Sequence, residues 1–276
     1  MENVVVKEGK YMYCIIRSNE SQSFGPLGIG SRGDELHTIC FNDIAAVVSN
    51  SPIISYPIAR DNVLPYERAI EEVMKKHTVL PVRFNVIVED EDKVKRILER
   101  EYDKFVDLLK KMDGKKELGL KAIFSAEGGP ASGGKENIYN YILEKYDDIR
   151  RLKKALSSEP PAKTYYLRVE VGRKVEAALK KERDIHKEEI FNTLSPLAQD
   201  TKVNSPYGEL MIISAAFLVE KRGEAEFDKN VQGLADKFGN KIKFKYTGTL
   251  PPFNFVNLVI DTSTWLSVNG ERKSNH

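Results

Sequence analysis

The stretch VLPVRFNVIVEDEDKVKRILEREYDKFVDLLKKMDGKKELGLKAIF, Val79–Phe124, carries the sharpest pattern in the chain. Its first ten residues are mostly apolar and rich in β-branched side chains, which predicts a buried strand. Pro81 points to a strand start or a sheet edge. Val94, Ile97, Leu98, Phe105, Leu108, Leu109 and Met112 then recur at helical spacing and form one apolar stripe. Asp90 supplies an N-cap and Gly114 a stop. Leu118–Phe124 returns as a strand. Strand, helix, strand reads as a βαβ unit, which needs a right-handed crossover and parallel strands.

Leu210–Gly248 repeats that plan. LMIISAAFLV (Leu210–Val219) predicts a buried strand, and Glu224–Phe238 an amphipathic helix stopped by Gly239. In Lys241–Thr247, Ile242, Phe244 and Tyr246 alternate with three lysines, the period of a half-buried strand. Elsewhere, Tyr11–Arg17 predicts the first strand. Leu36–Phe41 and Ile44–Ser49 predict a hairpin about Asn42-Asp43. Asn62–His77, Asn137–Leu156 and Thr164–Leu197 have helical spacing, the last ended by Pro196. Phe253–Ile260, after Pro251-Pro252, predicts a final strand. Gly- and Pro-rich breaks fall at Ser125–Lys135 and Ser157–Ala162. The expected class is therefore α+β: two ferredoxin-like α/β sandwich domains joined by a helical region. The expected bounds are 1–125 for an N-terminal α+β domain and 126–163 for a linker with one helix. The remainder, 164–276, is expected to be a C-terminal α+β domain that opens with the long helix.

Composition narrows the class of function. The 276 residues hold 43 Lys and Arg against 41 Asp and Glu, a net charge of +2. No strong field is present to gather nucleic acid or an acidic membrane. Two cysteines, Cys14 and Cys40, are too few for a disulfide scaffold and suit a reducing, cytoplasmic setting. Neither a signal peptide nor a run of ~20 apolar residues is visible, so membrane insertion is not expected.

The chemical motifs are weak. Gly129–Lys135 (GPASGGK) matches half of a P-loop, but Glu136 stands where Mg²⁺ coordination needs Ser or Thr, and Pro130 removes a backbone donor. A nucleotide-binding enzyme built on it is the alternative reading. Gly25–Gly30 has dinucleotide-loop glycines in reversed spacing. Glu182, His186 and Glu189 share a helical face, inside a mixed-sign run that reads as solvated surface. The lysine row 241/243/245 reads as a solvent face or a guarded sheet edge rather than an RNA platform; an RNA- or small-ligand-binding ferredoxin-like regulator is the other alternative. No catalytic set, metal site or cofactor site can be assembled. Two features lack a packing explanation. Arg83 puts a charge inside an apolar strand pattern. TLPPFNFVN (Thr249–Asn257) sets two prolines beside Phe253 and Phe255, as core closure or as a contact patch.

Four segments together resemble one family, gas vesicle protein F/L (GvpF/GvpL). They are GPLGIGSRGDELHTICFNDIAAVVS (Gly25–Ser49), NVLPYERAIEEVMKKHTVLPVRFNVIV (Asn62–Val88), LMIISAAFLVE (Leu210–Glu220) and YTGTLPPFNFV (Tyr246–Val256). Asn85 stands where the family's Gly is usual, Tyr66 where His is common, Thr249 for Pro, and Phe253 for Tyr. The resemblance implies a non-enzymatic accessory or minor component of gas vesicle assembly, cytoplasmic and vesicle-associated. Such a protein would bind the hydrophobic major shell protein during nucleation, prevent its aggregation and meet other accessory gas vesicle proteins. Neither nucleic acid nor membrane is expected as a partner. Arg83, Pro251, Pro252, Phe253 and Phe255 are the expected partner-binding residues, with the helical segment Asn137–Leu197 a further place to look.

Overall fold

The computed structural model describes residues 7–125, 137–158, 160 and 164–260. Ten strands and seven α-helices follow one another among these residues. They are β1 (Glu8–Arg17), β2 (Ser23–Gly25), β3 (Leu36–Phe41), β4 (Ile44–Pro52), α1 (Arg60–Met74), β5 (Val79–Pro81), β6 (Ile87–Val88), α2 (Glu91–Arg100) and α3 (Tyr102–Met112). Then come β7 (Lys115–Phe124), α4 (Ile138–Lys145), α5 (Asp147–Ser158), α6 (Tyr165–Leu194), β8 (Asp200–Asn204), β9 (Met211–Glu220), α7 (Glu224–Phe238) and β10 (Ile242–Leu250). The protein is α+β, with its strands in two sheets.

Two compact units form. One holds the described residues up to Lys116 together with those from Leu250 onward; the other runs from Glu117 to Thr249. These bounds differ from the expected 1–125, 126–163 and 164–276, and strand pairing is the reason. β7 joins the second sheet, and the residues after β10 return to the first unit.

In the first unit the sheet order is β2-β3-β4-β1-β5, with β6 also on β1. Every pairing in it runs antiparallel. The β3–β4 hairpin turns at Asn42, whose φ of 52° suits Asn. Tyr11 to Ile16 are all fully buried, so β1 is covered on both faces. A bulge between Met12 and Cys14 lets Tyr11, Tyr13, Cys14 and Ile16 share one face with Tyr66, Ala69, Ile70 and Val73 of α1. The helices α2 and α3 pack on the sheet through Val94, Ile97, Leu98, Phe105, Leu109 and Met112, and none of these belongs to the α1 cluster. The single helix expected from Asp90 to Gly114 breaks at Glu101, while Asp90 caps it through the Lys93 N–H at 2.8 Å.

Val79–Phe124 does not form the expected βαβ crossover, because β5 lies in the first sheet and β7 in the second. Its two apolar strands satisfy different partners. β7 buries Leu118, Leu120, Ala122 and Phe124 in the second core.

That second sheet has the order β10-β7-β9-β8, in a chain order of strand, helices, two strands, helix, strand. β9 and β10 are thus separated by β7 rather than adjacent. β8 pairs antiparallel with β9 and was not legible in the sequence: DTKVN is polar, and all of it is exposed except half-buried Thr201. The lysine-bearing β10 is an edge strand, where positive charge blocks further pairing. The 30-residue α6 spans about 45 Å. From its middle onward it supplies Ala178, Leu179, Ile190 and Leu194 to the core, and α4 and α5 pack against it.

Candidate functional site

Arg83 and the proline segment, both singled out in the sequence, come together in the first unit. The expected strand Val79–Val88 pairs with β1 at both ends but not in the middle. The Val82 N–H donates to the Tyr13 carbonyl at 2.9 Å, and the Met12 N–H donates to the Val86 carbonyl at 2.9 Å. Between these bonds, Arg83-Phe84-Asn85 leaves the ladder. Such an excursion re-aims side chains, so the charge is carried out of the sheet rather than buried in it. Arg83 is exposed, which resolves its conflict with the apolar pattern.

Asn85 holds the excursion. Its φ is 71°, the left-handed region open to Gly and, among other residues, mainly to Asn. Its N–H donates to the Tyr11 hydroxyl at 2.7 Å. Its Oδ1 accepts from the Tyr56 N–H at 3.0 Å, and its Nδ2 donates to Ser55 Oγ at 3.0 Å. The departure from Gly at this position is therefore compatible with the backbone.

The opposite wall is Pro251–Asn257. The expected strand Phe253–Ile260 is instead a turn. The Phe253 N–H donates to the Pro251 carbonyl (2.6 Å), and the Phe255 and Val256 N–H groups donate to that of Pro252 (3.1 and 2.9 Å). Prolines preset the bend, and after it, among the described residues, Leu258 alone forms a β-bridge, with Val82. Arg83 Nε donates to Asn257 Oδ1 at 3.2 Å and ties the two walls.

Tyr66 on α1 forms the floor. Its ring meets Phe84 edge-on at 5.4 Å and Phe253 at 6.1 Å. Its hydroxyl donates to the Val82 carbonyl, and burial pushes its pKa up. Glu67 is half-buried, and its carboxyl is raised by that burial and then by Glu71. The result is a cleft of about 520 Å³ with aromatic walls and a rim of Arg83, Asn254 and Asn257. Arg83 and Phe253 line it. Pro251 and Pro252 are buried and Phe255 is half-buried, and none of the three is part of its lining. Tyr66, Glu67, Phe84, Asn254 and Asn257 were missed in the sequence. Phe84 and Asn254 adjoin residues already singled out, but nothing in the pattern places Tyr66 beneath them.

The Glu182 face also departs from expectation. Glu182 is fully buried, not solvated. It accepts from the Tyr146 hydroxyl at 2.6 Å and the Tyr141 hydroxyl at 3.3 Å, and pairs with Lys145 Nζ at 2.7 Å. Burial alone would raise its carboxyl, but these donors hold it below the ordinary value. Glu189 pairs instead with Lys237. No metal-holding group of His, Cys, Asp and Glu occurs among the described residues. Cys14 is buried, which pushes its thiol up, and Cys40 is half-buried. Gly129–Lys135 lies outside the described residues. Within them, no helix is long and apolar enough to cross a membrane.

The family model for gas vesicle synthesis protein GvpL/GvpF matches residues 9–257, a span that contains both walls of the cleft. The chain belongs to this family. The GvpF of Dolichospermum flosaquae is 24% identical over 256 residues, covering 90% of this chain and 97% of that one. The gas vesicle protein L of Streptomyces sp. (strain CB03234) is 23% identical over 268 residues, covering 90% of this chain and 93% of its own. The crystal structure of GvpF from Anabaena sp. PCC7120 superposes with a TM-score of 0.73 at 20% identity, over 92% of this chain and all of that one. That of GvpF from Microcystis aeruginosa gives 0.69 over 91% and 99%. The GvpF structures thus share this α+β fold.

Proposed function

We propose that this GvpL/GvpF protein serves gas vesicle assembly by binding. It holds the hydrophobic shell protein during nucleation, keeps it from aggregating and hands it to the growing structure without chemistry of its own. Family membership supports the role in gas vesicle synthesis. The observation that carries the mode of action is the cleft between the Arg83 excursion and the proline turn. Half-buried Phe84 and Phe253 present apolar surface inside it, while Arg83, Asn254 and Asn257 ring it with polar groups. A buried aromatic anchor within a polar rim is the usual anatomy of a protein-binding hot spot. The shell protein supplies the apolar segment, and the rim fixes its register.

The test is retention of purified shell protein on the immobilised chain, with light scattering of shell protein alone as the aggregation readout. The intact chain retains shell protein and suppresses scattering. Phe253→Ser and Arg83→Glu each weaken retention by about tenfold or more, the loss of a hot spot. Thermal unfolding of each variant separates a lost contact from a lost fold. No retention by the intact chain, or full retention by both folded variants, overturns the proposal.

A further inference from the structure

The second unit holds a separate cavity of about 170 Å³. Phe124, Ile138, Phe238 and Ile242 form its apolar wall, all less than a tenth exposed, and Tyr141, His186 and the polar residues Asn137, Glu144, Lys237 and Lys241 line the rest. Its volume is close to that of an engineered apolar cavity of about 150 Å³ that accepts benzene. His186 stands edge-on between two of the wall rings, 5.7 Å from Phe124 and 5.1 Å from Phe238. Its two nitrogens differ. Nε2 lies 3.8 Å from Glu182 Oε2, while Nδ1 is buried without a hydrogen-bond partner among the described residues.

A buried polar atom without a partner is destabilising, so it calls for an explanation. Burial lowers the pKa of His186, which favours the neutral ring. With the proton on Nε2, facing the buried carboxylate, Nδ1 is left as an acceptor. The site therefore joins a ring-sized space, apolar on the side of Phe124, Ile138, Phe238 and Ile242, to an unfilled acceptor.

We propose that this cavity binds a small single-ring aromatic molecule carrying one hydrogen-bond donor, with the ring against Phe124, Phe238 and Ile242 and the donor on His186 Nδ1. The proposal is independent of the shell-protein reading, which concerns the other unit.

Phenol and anisole are the probes, because they differ chiefly in the O–H. Titration of the full chain, followed by calorimetry and by intermolecular NOEs, reads both affinity and place. Phenol binds with NOEs to the Ile138 and Ile242 methyls, and about tenfold more tightly than anisole. In His186→Phe the preference for phenol disappears. No binding of either probe, equal affinity for the two on the unaltered chain, or NOEs elsewhere overturns the proposal. The comparison on the unaltered chain decides it even if His186→Phe does not fold.

Discussion

Substitution of Asn85 tests whether backbone conformation builds the cleft. Asn85→Gly removes the acceptor for the Tyr56 N–H and the contact with Ser55, but leaves φ = 71° freely accessible. The partly buried Tyr56 N–H dominates that loss, about 1 kcal/mol, because the Ser55 contact is solvent-exposed. Asn85→Ala removes the same bonds and also forces a Cβ-bearing residue into the left-handed region, a further penalty of about 1–2 kcal/mol. The expected order of stability is Asn, then Gly, then Ala, with Gly and Ala separated by about 1 kcal/mol or more. That gap corresponds to a few degrees in Tm for the cooperative unit concerned. Scanning calorimetry of the three proteins measures it. Under the proposed function, shell-protein retention should fall in the same order, because relaxation of the excursion would move Arg83 and Phe84 off the cleft. An Ala variant as stable as the Gly variant would refute the reasoning, since the two differ only in the conformational term.

Tyr66→Phe removes the buried hydroxyl that donates to the Val82 carbonyl. It should lower stability by about 1–3 kcal/mol in denaturant titration while leaving the ring contacts in place. Gly28→Ala places a Cβ 2.7 Å from the Asp34 carbonyl oxygen and 2.8 Å from Asp34 Cβ, contacts that the loop must shift to relieve. A loss of about 1–3 kcal/mol by the same titration is expected. Glu182 has a carboxyl pKa held below its ordinary 4.5, so its contribution is present above that value and is lost as pH falls through the folded-state pKa. Glu182→Gln should therefore be less stable than the parent at pH 7, with the gap narrowing toward pH 3 in calorimetric scans.

Elements with a strong local signature were legible. The β3–β4 hairpin, α1, α6, α7 and the alternation of β10 follow from periodicity and turn residues, which depend on neighbours within a few positions. Asp90 as a cap and Gly114 as a stop likewise need only local backbone geometry. β8 was not legible because an exposed edge strand does not require apolar alternation. Glu182 read as surface because its sequence neighbours are charged; Tyr141 and Lys145 of α4, with Tyr146 just past its end, make a buried carboxylate tolerable. For the cleft, Arg83 and Phe253 stood out because each broke a local pattern, whereas Tyr66 looked like an ordinary member of a helix stripe.

The residue order alone determined the α+β class, most helices and strands, the resemblance carried by four segments, and the two places where charge or proline disagreed with simple packing. Tertiary structure decided which sheet each strand joined and that residues 174 positions apart, Arg83 and Asn257, share a hydrogen bond. Local pattern records whether a segment wants one apolar face. Which face it meets is set by long-range pairing, and no local signal distinguishes two sheets that both accept an apolar strand.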